Sequence, residues 1–194
     1  MMKKMIALAA LALAASGASA QSASAGWHPL LGAGLTFGGD KLATVEFTDG
    51  SSDSIRAGGL VQLYGGVEYR FDTALTLQGT VGYHVSDSRS ARNGSVRFEN
   101  YPIELIALYA PMDKVRLGAG VQFATGARLT GSGVADDVGA KFKSATGAVI
   151  EGEYLFTPKI GLQLRYVNLK FTPKEAGLDK VDGSHGGLLF SYYF

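Results

Sequence analysis

Apolar and polar residues alternate along most of the chain after residue 21, with the period of two that is typical of β-strands. In LVQLYGGVEYRF, residues 60–71, Leu63 and Val67 lie on one face and Gln62 and Glu68 on the other. No comparable run has helical spacing. The alternation predicts eight strands, at residues 30–38, 60–71, 75–86, 95–109, 114–123, 147–156, 160–166 and 188–194.

One of these strands is irregular. In residues 95–109, Val96 and Phe98 are out of phase with the apolar face that continues through Tyr101 and Ile103. Proline has no N–H to give to a β-ladder and is tolerated where a ladder is interrupted. We therefore expect a β-bulge near Pro102.

The connections between the predicted strands alternate in length. Short turns are expected at Asp72 and Thr73, at Pro111–Asp113 and at Thr157–Lys159. Long polar links are expected at residues 39–58, 87–94, 125–143 and 172–184. Transmembrane barrels have this asymmetry, with short periplasmic turns and longer external loops.

Alternation by itself does not say which face is outside, because a soluble lipocalin-like barrel has the same period with apolar residues inward. Three features favour apolar residues outward. Aromatic residues such as Tyr69, Tyr154 and Tyr192 concentrate near strand ends, where they would form a girdle at a membrane interface. An open sheet would leave unpaired backbone groups in the hydrocarbon, at a cost of several kcal/mol each, so a sheet in the membrane must close into a barrel. The polar faces also hold glycines that suit a narrow interior: Gly66, Gly82, Gly118, Gly120, Gly161 and Gly187.

The first 20 residues have the features of a signal peptide. Lys3 and Lys4 precede an apolar run that is too short to span a bilayer, and the small residues Ala18-Ser19-Ala20 then form a cleavage pattern. Residues 21–194 are expected to form the mature domain. Without those two lysines the chain has 16 basic and 17 acidic residues, and it has no cysteine. This composition gives no basic face for nucleic acid and no thiolate ligand.

Together these features resemble the eight-stranded outer-membrane barrels of Gram-negative bacteria, similar to the OmpA and OmpX transmembrane domains. The resemblance implies an all-β, antiparallel, up-and-down transmembrane barrel in the cell outer membrane. In that family a terminal Phe, with aromatic or apolar residues at alternate preceding positions, is the signal read by the outer-membrane assembly machinery. The chain matches it at Phe194, Tyr192, Phe190 and Leu188. The closing strand is then expected to pair with the first.

The polar face of the strands predicts a charged lumen. Eight strands leave an interior just wide enough for side chains, so the charges there are expected to form pairs. We interpret the set as a structural plug; an ion or proton path is the alternative. Its predicted members are Glu68, Arg70, Glu104, Lys114, Arg116, Glu151, Glu153 and Arg165.

Two residues raise the question of catalysis. His84 and Ser86 lie two apart on one strand face, and Glu99 can approach them across the hairpin, which is a route to an activated serine. A His-x-Ser pair also occurs in outer-membrane lipid A deacylases, but there it faces lipid in a later strand. A polar position under the loops is the simpler interpretation.

Metal and cofactor sites are not predicted. His28 and His185 have no carboxylate at ligand spacing, and no glycine-rich loop has the strand-to-helix context of a phosphate site. The loop acids Asp49, Asp53, Asp136 and Asp137 are more typical of a solvated loop than of a cation site.

The sequence therefore predicts a non-enzymatic outer-membrane barrel whose external loops act in surface interaction or envelope integrity. Its expected partners are outer-membrane lipid, lipopolysaccharide and the assembly machinery. The alternatives are a lipid A-modifying enzyme and a narrow conduit for small apolar molecules, as the similar OmpW-type barrels suggest.

Overall fold

The structure is a computed structural model that describes residues 25–46, 52–71, 74–87, 94–133, 135–175 and 177–194. The signal peptide predicted at residues 1–20 and the turn predicted at Asp72 and Thr73 lie outside these ranges. No helix in the described ranges is long and apolar enough to span a membrane. The strands are β1 (Gly26–Gly38), β2 (Lys41–Glu46), β3 (Ser52–Arg56), β4 (Leu60–Arg70), β5 (Leu75–Asp87), β6 (Gly94–Met112), β7 (Val115–Gly133), β8 (Gly139–Lys141), β9 (Ala145–Thr157), β10 (Ile160–Asn168), β11 (Lys170–Phe171), β12 (Val181–Asp182) and β13 (His185–Tyr193).

Eight strands form one antiparallel sheet that closes on itself, in the order β1, β4, β5, β6, β7, β9, β10, β13 and back to β1. Each of the eight predicted strands corresponds to one of them. β13 pairs with β1 through Leu188 opposite Leu35 and Phe190 opposite Ala33. The predicted closure of the last strand on the first is therefore confirmed, and no strand of this sheet is left with an open edge in the hydrocarbon region.

The two faces of the barrel wall differ as the sequence predicts. Outward apolar side chains are largely exposed, including Val81 (62%) and Leu164 (68%), whereas inward polar side chains such as Glu68 (0%) and Arg165 (3%) are buried. A soluble lipocalin-like barrel would have the reverse arrangement. Aromatic side chains form a girdle at the short-turn end, where adjacent rings contact one another edge to face. Its members are Trp27, Tyr69, Phe71, Tyr154, Phe156, Tyr192 and Phe194.

The external links contain more regular structure than the sequence predicts. β2 and β3 form a hairpin within residues 39–58, and β11 pairs with β12 beyond β10. β7 continues to Gly133, and β8 adds residues 139–141, so most of the link predicted at 125–143 is strand rather than loop. These segments are ordered because they bury apolar side chains against one another at the external end of the barrel.

A β-bulge occurs close to Pro102, as predicted, but the extra residue is in the neighbouring strand β7 and not in β6. Glu99 pairs with Arg128 and Tyr101 with Thr125, so one residue of β6 faces two residues of β7. The extra residue is at Gly126, whose φ of 63° is the left-handed conformation that glycine adopts readily. Pro102 itself stays in phase with the buried side of β6.

Val96 and Phe98 point inward, on the same side of β6 as Glu104. They look out of phase in the sequence because the inward face of β6 is itself largely apolar, with Ile106 and Leu108 buried beside Glu104, while the pairing of β6 with β5 keeps one register. Val96 and Phe98 are therefore not displaced by a bulge, and the reason given for predicting one was wrong.

Candidate functional site

The polar interior of the barrel is the candidate functional site, and its lower layer lies near the short turns. Glu68 on β4 accepts hydrogen bonds from Arg70 Nε (2.5 Å) and Arg116 Nη1 (3.0 Å). Arg116 Nε also donates to Glu153 Oε2 (2.6 Å), and the Tyr193 hydroxyl donates to Glu153 Oε1 (2.6 Å). Both guanidinium groups lie over the Tyr193 ring, with their carbons 5.2 and 4.8 Å from its centroid. Two acids and two bases thus neutralise each other in this layer.

A second charged layer lies further along the axis. Arg165 on β10 donates to Glu104 Oε2 at 2.9 Å, and Thr80 donates to the same oxygen at 3.2 Å. Glu151 is more weakly held: its Oε2 lies 3.7 Å from Arg165 Nη2, and neither of its oxygens has a hydrogen-bond partner within the described residues. Two acids share one base here, so this layer has one more carboxyl group than it has cations.

Lys114 is not in the interior, which corrects the sequence prediction. β7 begins at Val115, and Lys114 is an exposed residue of the short turn before it. Its backbone carbonyl accepts a hydrogen bond from the Leu155 N–H at 2.8 Å. The other seven predicted residues are buried in the two layers.

Several interior residues were not singled out by the sequence analysis. Tyr64 donates to Gln163 Oε1 (3.1 Å), and its hydroxyl lies 2.7 Å from Ser191 Oγ. Glycine makes room for the ring, because a Cβ at Gly32 would overlap it. The period of two along each strand assigns these residues to the inward face. It does not show which neutral residues contact one another across the barrel axis. Tyr193 alternates with Tyr192 and Phe194, so the period of two places it on the inward face, but the pattern does not identify Glu153 as its partner.

A histidine pair lies above the charged layers. The rings of His84 and His185 are 4.9 Å apart, and both residues are buried. His84 Nε2 lies 2.7 Å from Thr36 Oγ1, and His185 Nδ1 lies 2.8 Å from the Gly183 carbonyl oxygen. Ser86 Oγ accepts a long hydrogen bond from the Arg56 N–H (3.4 Å) rather than bonding to His84.

Glu99 is also directed away from the histidines. The Tyr83 hydroxyl donates to Glu99 Oε2 at 2.5 Å, and Arg128 Nε donates to Oε1 at 2.6 Å. The hydrogen bond from Tyr83, together with Arg128, holds the pKa of Glu99 below its usual value. The structure therefore does not assemble His84, Ser86 and Glu99 into a nucleophile with its base and orienting acid.

An apolar cluster fills the external end of the barrel. The rings of Phe98, Phe142 and Phe171 contact one another with centroids 5.5 to 5.9 Å apart. Side chains from β3, β6, β7 and the segment after β10 surround them. The external members of the cluster are Ile55, Ala57, Val96, Phe98, Ala127, Phe142, Leu169 and Phe171.

The four residues of the predicted assembly signal lie on the outer face of β13, or just beyond its end. Leu188, Phe190 and Phe194 are 46%, 53% and 56% exposed, and Tyr192 packs against Phe194. The chain end is held by its backbone, since the Phe194 N–H donates to the Pro29 carbonyl at 3.0 Å.

Within the described residues, no three His, Asp or Glu side chains are grouped as metal ligands. Asp136 and Asp137 occupy a turn after β7, whereas Asp49 lies outside the described ranges. At the other end of the barrel, Trp27 packs on Tyr69 and His28 Nδ1 lies 3.4 Å from the Phe194 carbonyl oxygen.

Comparisons with known proteins agree with this architecture. Residues 6–194 match the model of the outer membrane protein beta-barrel domain. Ail, the attachment invasion locus protein of Yersinia pestis, has a similar fold with a TM-score of 0.57 at 13% identity, over 88% of this chain and 100% of Ail. OprG from Pseudomonas aeruginosa is similar with a TM-score of 0.51 at 18% identity, over 91% of this chain and 99% of OprG. Comparison with curated proteins gives no match. The protein belongs to the outer membrane protein beta-barrel family, and its place is the outer membrane.

Proposed function

We propose that this protein is a non-enzymatic outer-membrane barrel with a closed lumen, which presents its external strands for surface interaction or envelope integrity. The observation that carries the proposal is the filling of the interior. Two layers of buried charged side chains, containing Glu68, Arg116, Glu104 and Arg165, lie below the histidine pair, and the external members of the apolar cluster lie above it.

Each layer resists ion passage for a different reason. In the charged layers the guanidinium groups already have carboxylate partners, so an ion entering there would have to break buried, charge-assisted hydrogen bonds. In the apolar cluster an ion would lose its hydration without gaining polar contacts. We infer that the lumen is a structural plug rather than a path.

Planar-bilayer recording of the refolded protein tests the plug. The expected result is no steady conductance from the wild type. A Phe98→Ala, Phe171→Ala double variant removes two rings of the apolar cluster but keeps the charged layers. This variant should also show no steady conductance. Steady, reproducible channels in the wild type would contradict the proposal.

The contacts of His84 and Ser86 support the non-enzymatic interpretation. His84 is 2.7 Å from Thr36 Oγ1, and Ser86 accepts its hydrogen bond from the Arg56 backbone N–H, so within the described residues no base is hydrogen-bonded to the serine. Mass spectrometry of lipid A from cells with and without the protein should therefore give the same species. A protein-dependent loss of an acyl chain that disappears in Ser86→Ala would contradict this part of the proposal.

A second candidate, a narrow conduit for small apolar molecules, is favoured by one feature of the wall. The β5–β6 pairing is interrupted between Val81–Ile103 and His84–Asn100, and an apolar pocket of about 490 Å³ lies over this gap beside Pro102. Tyr64 lines the inner side of the pocket. Protein-dependent uptake of an apolar fluorescent probe into liposomes, reduced by Val81→Trp, would support the conduit over the closed barrel.

We propose that residues 1–20 are cleaved during export and that the assembly machinery recognises Leu188, Phe190, Tyr192 and Phe194. Outer-membrane lipid and lipopolysaccharide are the proposed surroundings of the exposed apolar band. N-terminal sequencing of the purified membrane protein should begin at Gln21.

A further inference from the structure

A group of cations lies on the outer wall of the barrel where β7 leaves its neighbour β9. Arg128, Lys141, Lys143 and Lys174, here called the cation row, line a surface pocket of about 450 Å³. All four residues are exposed, whereas Phe142 beside them points inward to the apolar cluster. The cations therefore face away from the barrel axis.

The strand pairing forces three of these cations into line. Arg128 on β7 lies directly opposite Lys141 on β8. Phe142 pairs antiparallel with Pro173, and the Lys174 N–H donates to the Lys141 carbonyl at 2.8 Å, which places Lys174 opposite Lys141 on the next segment. Like charges directly opposite each other in a sheet are destabilising.

The carboxylates nearby do not neutralise the row. Glu99 pairs with Arg128, so one of the four positive charges has a partner. Among the described residues, no carboxylate lies within ion-pair distance of Lys141, Lys143 or Lys174, although Glu175 follows Lys174 in the chain. The row therefore keeps about three uncompensated positive charges on one patch.

The height of the row matches the lipid headgroups. Its lower edge is Gly126, where an added Cβ would lie 2.9 Å from Tyr101 Cδ2. Tyr101 and Phe123 are each 44% exposed and mark the external limit of the apolar band, below which Ile103 and Val121 face lipid. A lipid whose acyl chains lie against this band would place its polar headgroup beside the cations.

The spacing of the row favours a headgroup with more than one phosphate. Arg128 on β7, Lys141 on β8 and Lys174 on the segment after β11 lie side by side, so the row is about 10 Å across at roughly 4.8 Å between neighbouring extended segments. A single phosphate would contact only part of it. Two phosphates on one sugar backbone can engage both ends, through the charge-assisted hydrogen bonds that lysine and arginine donate to phosphate oxygens.

We propose that the cation row binds the phosphorylated sugar headgroup of outer-leaflet lipid A. The inference rests on the proposed function, because it requires a barrel inserted with β7 and β8 at the external surface. It adds a specific lipid site to that barrel. The site offsets the repulsion between Arg128, Lys141 and Lys174 only when the anionic lipid is present.

The test is native mass spectrometry of the folded protein released from detergent micelles, with the retained lipids counted. The probes are lipid A with two phosphates, monophosphoryl lipid A, phosphatidylglycerol and dextran sulfate. The wild type should retain bisphosphorylated lipid A more strongly than monophosphoryl lipid A or phosphatidylglycerol. Lys141→Ala with Lys174→Ala should reduce this retention about tenfold, the scale of losing charge-assisted hydrogen bonds to phosphate.

The matched control is Lys114→Ala with Lys159→Ala, which removes two exposed lysines from the short turns at the opposite end. This variant should retain lipid A like the wild type. A second readout separates binding from folding: without lipid A the Lys141→Ala, Lys174→Ala variant should be at least as stable as the wild type, because like charges have been removed. Adding bisphosphorylated lipid A should then raise the thermal midpoint of the wild type more than that of the variant.

Three results would overturn the proposal. They are equal lipid A retention by the row variant and the wild type, retention of phosphatidylglycerol as strong as that of lipid A, and lysine-dependent binding of dextran sulfate without lipid A retention. Heat-dependent migration on gels checks that each variant is a folded barrel. A folded barrel that fails to retain lipid A refutes the site alone, whereas failure to fold in micelles counts against the proposed function.

Discussion

The seven buried charges of the interior are unequal in how well they are paired, and the difference is visible residue by residue. Glu104 accepts hydrogen bonds from both Arg165 and Thr80. Glu151 contacts the same guanidinium only at 3.7 Å and has no hydrogen bond among the described residues. Because the layer has two acids and one base, one carboxylate is sufficient to neutralise Arg165. We infer that Glu104 is that carboxylate.

Replacing each of these two carboxyl groups by an isosteric amide should have unequal effects on stability. Glu104→Gln should lower the free energy of unfolding by about 3 kcal/mol, because it removes the partner of a buried cation. Glu151→Gln should change it by less than about 1 kcal/mol, since Glu151 has no hydrogen bond to lose among the described residues and Arg165 keeps Glu104 as its partner. Urea titration in micelles, followed by the fluorescence of Trp27, measures both variants. Similar losses for the two would show that Arg165 is shared equally.

The period of two in the sequence was sufficient to place these residues on the inward face. It did not show which of them would be well paired. Glu68, Glu104, Glu151 and Glu153 all fall on the polar faces of predicted strands, and the structure buries all four. Lys114 follows the same parity as Arg116 but lies in the turn, because parity has no meaning beyond the end of a strand. The pairing of Arg165 with Glu104, 61 residues away, depends on barrel closure, which no local pattern encodes.

At the scale of elements, the β6–β7 hairpin is where sequence and structure differ most. Its external part continues the barrel wall, with Phe98 and Ala127 buried in the apolar cluster. The bulge at Gly126 reverses the parity of β7, so Ala124 and Ala127 both face inward. A period-two pattern cannot be followed across such a reversal, which is why residues 125–143 were predicted to be a loop.

Substitution of Gly126 tests the role of the bulge. Gly126→Ala should destabilise the hairpin by about 1 kcal/mol, because a φ of 63° is unfavourable for a residue with a Cβ. Gly79→Ala is the matched control, since its φ is not in the left-handed region and an added Cβ there meets no atom within 4 Å. Hydrogen exchange of the external amides of β6 and β7 should accelerate in Gly126→Ala alone. Equal exchange in both variants would mean that the bulge is not the constraint.

The same hairpin should weaken in acid. The hydrogen bond from Tyr83, together with Arg128, keeps the pKa of Glu99 lower in the folded protein than in the unfolded chain. Its contribution is therefore present above the unfolded pKa, near 4.3, and is lost as the pH falls through the lower folded value. Hydrogen exchange of the external hairpin should accelerate as the pH falls below about 4, after correction for the intrinsic pH dependence. Glu99→Gln should be less stable at neutral pH and should lack this acid-dependent step.

For the whole molecule, the general architecture was predictable because one physical constraint fixes it. A sheet in hydrocarbon must close, and closure with alternating short and long links leaves an up-and-down barrel. What could not be predicted is how the interior and the external end are filled. The His84–His185 contact and the cluster around Phe98 and Phe171 join residues from strands far apart in the chain. These contacts depend on barrel dimensions and on side-chain shape.

The terminal residue links the closed barrel to its assembly. The Phe194 N–H donates to the Pro29 carbonyl, while the Phe194 side chain is 56% exposed on the outer wall. Deleting Phe194 removes both features, whereas Phe194→Ala keeps the backbone hydrogen bond and removes only the ring. If the ring is recognised during assembly, both changes should lower the amount of folded protein in the outer membrane severalfold, and Phe194→Ala should still refold normally in micelles. Heat-dependent migration on gels measures the folded fraction in each case. Normal assembly of Phe194→Ala in cells would refute recognition of the ring, whereas a defect of both variants in micelles would mean that Phe194 acts through barrel closure.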